Sequence, residues 1–225
     1  MMTFSLMKRQ ALSLADVRRG ATNLYTIIAW LHVPAAVLVA LSARNAWLGP
    51  ALVLAGIAAV ATVCARTLKD GLLLRSIMAT ALTFGPIVFV YAGRGATSGL
   101  AGTGDWQIDY HLYFFAVFAM LVGYVDWRPI VLSAALTAGH HLLLDLVAPA
   151  AVFPEEGLDR VVLHAICVVA ECSVLIWIAN TVSALFARID GLMDFTTQAT
   201  AEAIAGEVAE KEALRRELDR LRAGV

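Results

Sequence analysis

Charge is what this sequence has least of. Only 16% of its 225 residues are Asp, Glu, Lys or Arg, against about a quarter in an ordinary soluble domain. Basic and acidic side chains nearly cancel, 17 against 18, for a formal net charge of -1. That balance supplies no basic face and excludes a nucleic-acid binder. Three cysteines are too few for a disulfide framework, and Cys167 and Cys172 fall inside an apolar run, where thiols are buried. Sixteen glycines are too few for a collagen repeat. What is abundant is hydrocarbon: 60% of the residues are hydrophobic and the mean hydropathy is +0.76. This composition excludes a disordered chain and points to a polytopic membrane protein.

Residues 1–21 carry Lys8, Arg9, Arg18 and Arg19 and no apolar core. The first long apolar run begins near Thr22, too far in and too long for a cleavable signal peptide. Six runs reach the roughly 17–25 residues needed to cross a bilayer. They fall at about 23–43, 47–66, 73–92, 108–126, 129–148 and 160–187. The fold class is therefore all-α, a six-helix transmembrane bundle whose last helix continues into a cytoplasmic coiled coil. Three regions follow: an N-terminal arm (1–22), a six-span domain (23–187) and a signalling helix (188–225).

Lys and Arg set the orientation. The N-terminus, the 66–75 loop, Arg128 and Arg188 supply nine basic residues, and the opposite side only Arg44, Arg94 and Arg160. Both termini are expected in the cytoplasm, with a bacterial inner membrane as the location. The outer rim gathers Asp105, Asp109, Glu155, Glu156 and Asp159, read as solvated loop charges. Asp126 and Arg128 are expected to pair at an inner turn, with Trp127 as interfacial anchor. Span 3 is expected to hold no ionisable group, and spans 2 and 3 to act as packing walls.

Residues 207–222 are mostly charged and strongly helix-forming. Glu207–Lys211 and Glu212–Arg216 are i,i+4 pairs in the favourable order. Leu214, Leu218 and Leu221 repeat at four and three, the spacing of a two-stranded seam, with Ile204 and Val208 in a shifted stretch. A homodimer through this helix is expected.

The five histidines carry the chemistry. His32, His111, His140, His141 and His164 all lie inside predicted spans. Ionisable groups in a bilayer are costly and mark function. Counted from the span ends, all five lie in the outer half. Acids accompany them: Glu171 lies two turns after His164, Asp145 follows His141 at i+4, and Asp109 precedes His111 by two. Carboxylates behind imidazoles orient ligands, so Asp145 and Asp109 are expected to stand behind a site formed by His32, His111, His140, His141, His164 and Glu171. Three alternatives stand at this point. The histidines hold a transition metal (copper favoured, iron or zinc next), or two of them ligate a haem b, or they are hydrogen-bond partners between helices. The adjacent His140 and His141 point about 100° apart on a helix, so one small ion does not easily take both. A haem slot would need small residues such as Ala138 and Gly139. Pro34 and Pro86 are expected to bend spans 1 and 3.

The residues that carry a resemblance run from Trp106 to Trp177: WQIDYHLYFFAVFAML, then VDWRPIVLSAALTAGHHLLLDLVAPAAVFP, then LHAICVVAECSVLIW, with LHVP at 31–34. Over about 23–190 the chain resembles the N-terminal membrane input region of certain bacterial methyl-accepting chemotaxis receptors and diguanylate cyclases. The resemblance implies a multi-span sensor whose last helix drives a cytoplasmic coiled coil, with an output domain or a partner beyond it, and the chain itself is not expected to be an enzyme. Those proteins continue past the point where this sequence ends at Val225. A membrane haem or metal redox protein is the alternative function. A metal transporter would need ionisable groups through the full depth of the membrane.

Overall fold

The computed structural model of the chain describes residues 13–98, 104–147 and 158–223. The expectations on Lys8, Arg9, Glu155 and Glu156 lie outside the described residues, as do the side chains of Asp105, Asp145 and Asp159. Among the described residues the chain is helical apart from one two-residue strand pair. Helices α1 (Leu14–Ser42), α2 (Leu48–Thr67) and α3 (Leu72–Ala92) come first. Strands β1 (Thr97–Ser98) and β2 (Gly104–Asp105) pair antiparallel, Thr97 opposite Asp105. Then follow α4 (Trp106–Tyr110), α5 (Leu112–Leu121), a 3-10 turn at Val122–Tyr124, α6 (Trp127–Val147) and α7 (Leu158–Ala223). The all-α expectation holds. Among the described residues, α1, α2, α3 and Val161–Ala223 of α7 are long and apolar enough to cross a membrane. This is a membrane protein. The 21 residues of α6 add a helix about 32 Å long, the depth of a hydrocarbon core.

The first helix begins earlier than hydropathy alone implies. Ser13 and Asp16 form a capping box: Ser13 Oγ accepts the Asp16 N–H at 3.1 Å, and the Asp16 carboxylate accepts the Ser13 N–H at 3.3 Å. These bonds satisfy backbone donors that a helix start leaves open. Residues 14–22 therefore belong to α1, not to a separate arm. Both α1 and α3 run through their prolines, Pro34 and Pro86, without a break in the helix.

The fourth predicted span is broken into α4, α5 and the 3-10 turn. Its C-terminal end shows why. Tyr25 packs edge-on against Tyr124 at 5.0 Å, and its hydroxyl donates to the Met120 carbonyl. A Cβ on Gly123 would lie 2.5 Å from the Tyr25 hydroxyl oxygen, so only glycine lets the two helices approach. Arg18 Nε donates to the Tyr124 carbonyl at 2.9 Å, and its Nη2 to the Val125 carbonyl at 3.3 Å. Val125 turns left-handed, at φ 50, and ends the segment two residues before α6.

The expected Asp126–Arg128 side-chain pair does not form. Asp126 Oδ2 instead meets Arg75 Nη1 at 2.5 Å. Its Oδ1 accepts the backbone N–H of Arg128 at 3.1 Å, the bond of a helix N-cap. Arg75 lies in the first turn of α3 and is buried, so span 3 does carry an ionisable group. Its Nε lies 3.2 Å from Asp70, which is 3.9 Å from Arg18. Four charges from α1, the α2–α3 connection, α3 and the turn before α6 thus close one network. A buried guanidinium is tolerable only when paired in this way.

The core is built around α3. Of its apolar window 67% is buried, against 28% for α1 and for α2. Met78, Leu82, Phe118, Leu121, Tyr124 and Ile130 fill the centre. Thus α3 is the hub and α2 an outer wall. Thr83 and Ser133 hydroxyls meet at 2.6 Å where α3 crosses α6.

Contacts divide the chain into a unit ending at Val182 and one beginning at Ser183, five residues earlier than expected. In the second unit Ile204, Val208, Leu214, Leu218 and Leu221 are all exposed. The expected helix pairs form there: Lys211 to Glu207 at 2.6 Å and Arg216 to Glu212 at 3.5 Å.

Candidate functional site

Three of the five histidines meet. His111 sits at the junction of α4 and α5, His141 on α6 and His164 on α7. Their ring centres form a triangle: His111–His141 5.2 Å, His111–His164 5.6 Å and His141–His164 5.7 Å. Phe114, one turn after His111, packs on His141 at 5.6 Å.

Two of these rings have a fixed orientation. His111 Nδ1 lies 2.9 Å from the Gln107 carbonyl, and His141 Nδ1 lies 2.8 Å from the Thr137 carbonyl. Each is the i−4 carbonyl of the local turn. A carbonyl only accepts, so both Nδ1 atoms carry the proton and both Nε2 atoms carry a lone pair. This is the tautomer in which Nε2 serves as ligand, with the backbone in the orienting role expected of Asp109 and Asp145. Asp109 is exposed, and the Asp145 side chain lies outside the described residues.

The three rings line a cavity of about 450 Å³ between α5, α6 and α7. Among the described residues its other walls are apolar apart from Thr137. Ala138 lines it, but a Cβ on Gly139 would meet nothing within 4 Å. Gly139 is exposed and is not among the residues of this wall.

The remaining candidates fall elsewhere. His140 is buried and lies 5.1 Å from His141, ring centre to ring centre, with the planes at 85°. It packs on Phe114 at 5.9 Å and is not part of the cavity wall. Its Nε2 has no hydrogen-bond partner. The turn of the helix sends the two neighbours different ways. His32 is buried against Phe89 and Tyr113, and its Nε2 is hydrogen-bonded to the Tyr113 hydroxyl at 2.9 Å. A Cβ on Gly85 would lie 2.6 Å from His32 Nδ1, so the glycine admits the ring. Glu171 is half-buried on α7 and lies outside the cavity wall, with Oε2 buried and unpartnered.

Among the described residues, no three His, Cys, Asp or Glu side chains already form a metal-holding group. The rings are gathered but face one another at interplanar angles of 33–63°. The sequence reasoning missed Tyr113, Phe114 and the carbonyls of Gln107 and Thr137. The i−4 relation to each histidine was the available signal, since Nδ1 of a helical imidazole lies near that carbonyl. Comparison with protein-family models, with curated proteins and with solved structures finds no match.

Proposed function

We propose that the chain is the membrane input module of a signalling protein, and that His111, His141 and His164 bind a transition-metal ion. The observation that carries this is the ring triangle. A metal–nitrogen bond of about 2.0–2.1 Å places each imidazole centre ~3.2 Å from the ion, so rings at tetrahedral to trigonal angles lie ~5.2–5.5 Å apart. The observed separations are 5.2, 5.6 and 5.7 Å. Axial histidines on opposite faces of a haem would lie ~6.4 Å apart by the same geometry, which favours a bare ion. The ring torsion of histidine is broad, so small rotations converge the donors. Three imidazoles in an apolar wall suit copper first, with zinc and iron next.

The remainder of the proposal rests on the resemblance and on α7. The site sits in an inner-membrane bundle with both termini cytoplasmic, from the Lys and Arg count. Loading shifts the His164 segment against α5 and α6, and α7 carries the shift into a helix that pairs as a homodimer through Leu214, Leu218 and Leu221. A cytoplasmic output domain or partner reads it. The module itself is not an enzyme. A membrane redox protein would share the histidines but has no use for a charged tail helix.

Elemental analysis and an absorption spectrum of the purified chain test the site. Copper, zinc or iron near one per chain without a Soret band supports it. A Soret band would replace the ion with haem. Protein that carries nothing, and takes up nothing when offered Cu(I), Cu(II) or Zn(II), would refute the site. A reporter fused after Val225 tests the orientation, and periplasmic activity would overturn it.

A further inference from the structure

A second groove lies between α2 and α3, and no histidine lines it. Its volume is about 550 Å³. Leu52, Gly56 and Val60 stand on one wall and Ser76, Thr80 and Phe84 on the other, each set one face of a helix at steps of four. Each wall runs ~12 Å along its helix, most of the ~15 Å that one leaflet gives to hydrocarbon. Gly56 gives the groove its depth, because even a Cβ there would meet nothing within 4 Å. Leu52 and Val60 are 62% and 59% exposed, so the groove opens sideways, where a membrane helix meets acyl chains.

Two hydroxyls mark the α3 wall. Thr62, Thr67 and Thr83 each donate to the carbonyl four residues before them, at 2.7–2.8 Å, the usual way a helical hydroxyl is satisfied. Ser76 and Thr80 form no hydrogen bond with another described residue. The connection between the two helices, residues 68–71, lies at the end of the groove nearest Ser76. That end is cationic. Arg66 stands in the last turn of α2 and Lys69 in the connection. Both are exposed, and neither forms an ion pair with a described residue. The acid beside them, Asp70, is already held by Arg75 at 3.2 Å and Arg18 at 3.9 Å. The charge of Arg66 and Lys69 is therefore left uncompensated among the described residues.

We propose that this groove binds one anionic phospholipid, an acyl chain lying between α2 and α3, its phosphate on Arg66 and Lys69 and its ester region facing Ser76. Basic side chains at the cytoplasmic edge of a gap between membrane helices select an anionic head. An apolar chain fills the groove without leaving a polar group of its own unpaired. The Ser76 hydroxyl is free to donate to an ester carbonyl. The inner leaflet as the source of the lipid rests on the orientation proposed above. The histidine site plays no part in this one.

The test uses the full chain in detergent, with native mass spectrometry counting bound lipid. The probes are phosphatidylglycerol, phosphatidylcholine with the same chains, and glycerophosphoglycerol, which has the anionic head and no chains. Saturable binding of phosphatidylglycerol at one per chain is expected, with phosphatidylcholine at least about tenfold weaker and the free head not bound. Arg66→Gln and Lys69→Gln should each weaken it about fivefold, the worth of one basic residue at a membrane surface. Gly56→Leu fills the groove and should abolish it. Arg128→Gln removes an equal charge from the first turn of α6 and should leave it unchanged. Equal affinity for the two phospholipids on the wild-type chain overturns the head assignment, whatever the variants do. Unchanged binding in a folded Gly56→Leu overturns the location. Equal losses in Lys69→Gln and Arg128→Gln would mean diffuse attraction and would overturn the site. A lipid-free dimer that is lost in Gly56→Leu would give the groove to a second copy instead. Detergent has no inner leaflet, so failure of this site and failure of the orientation, read from the reporter after Val225, are separate results.

Discussion

The two ends of the bundle solve the problem of polarity in a membrane in opposite ways. Where α1 begins, Arg18, Asp70, Arg75 and Asp126 neutralise one another within 2.5–3.9 Å. At the other end, His111, His141 and His164 come together at a cavity. The first cluster consumes its own polarity and locks helices together. The second gathers three like rings beside one apolar cavity. A cluster of opposite charges that pairs within itself serves the fold, whereas a cluster of like rings at a cavity needs another reason to be there.

Breaking the charged end should cost the most. Asp126→Ala leaves Arg75 buried and unpaired, which costs about 3–5 kcal/mol. Thermal unfolding in detergent should show a large drop, or the chain should fail to accumulate. Asp126→Ala with Arg75→Met should recover a good part of it. A single variant as stable as the wild type would mean that the network does not hold the fold.

At the histidine end the signature inverts. His111→Ala, His141→Ala or His164→Ala should weaken metal uptake at least about 100-fold, since each removes a direct ligand of the proposed ion. Unfolding should change far less than in Asp126→Ala. His140→Ala should keep the metal, because His140 lies outside the cavity wall. Loading should also fall on acidification, because a protonated imidazole has no lone pair to give. Equal losses at His140 and His141 would erase the distinction between the two neighbours.

This distinction marks how much could be read beforehand. The all-helical class and the long apolar helices α1, α2, α3 and α7 came from hydrophobic runs, because lipid forces long apolar helices, while the fourth run is broken into α4, α5 and a 3-10 turn. Which histidines meet did not, because that depends on helix rotation and crossing. His140 and His141 differ by one residue and face different neighbours. The charged network was hidden for a related reason. The four residues lie on separate segments: in the sequence Arg18 and Arg75 count only towards orientation, Asp126 is assigned to Arg128, and Asp70 is passed over. Helix α1 was cut short because hydropathy ignores a capping box.

A smaller effect sharpens the picture between the two ends. Gly85→Ala would drive a methyl into His32, whose Nδ1 would lie 2.6 Å away. Overpacking of this kind costs about 1–3 kcal/mol, read as a lower unfolding temperature with metal uptake unchanged. The smallest expected change is at Thr22, whose hydroxyl meets the Tyr124 hydroxyl at 3.1 Å. Thr22→Val should cost about 1 kcal/mol by the same measurement, and a neutral result would show the bond to be dispensable.

Val125 ties the two ends together mechanically. A β-branched residue held at φ 50 is strained by about 1–2 kcal/mol, and the catch is Arg18, which grips the carbonyls of Val125 and Tyr124. The joint is therefore held, not slack. The next residue, Asp126, is the cap on which α6 starts, so the angle at which α6 leaves the turn is fixed from α1. That helix carries His141 towards its far end, so the direction set at this corner also decides where that imidazole stands.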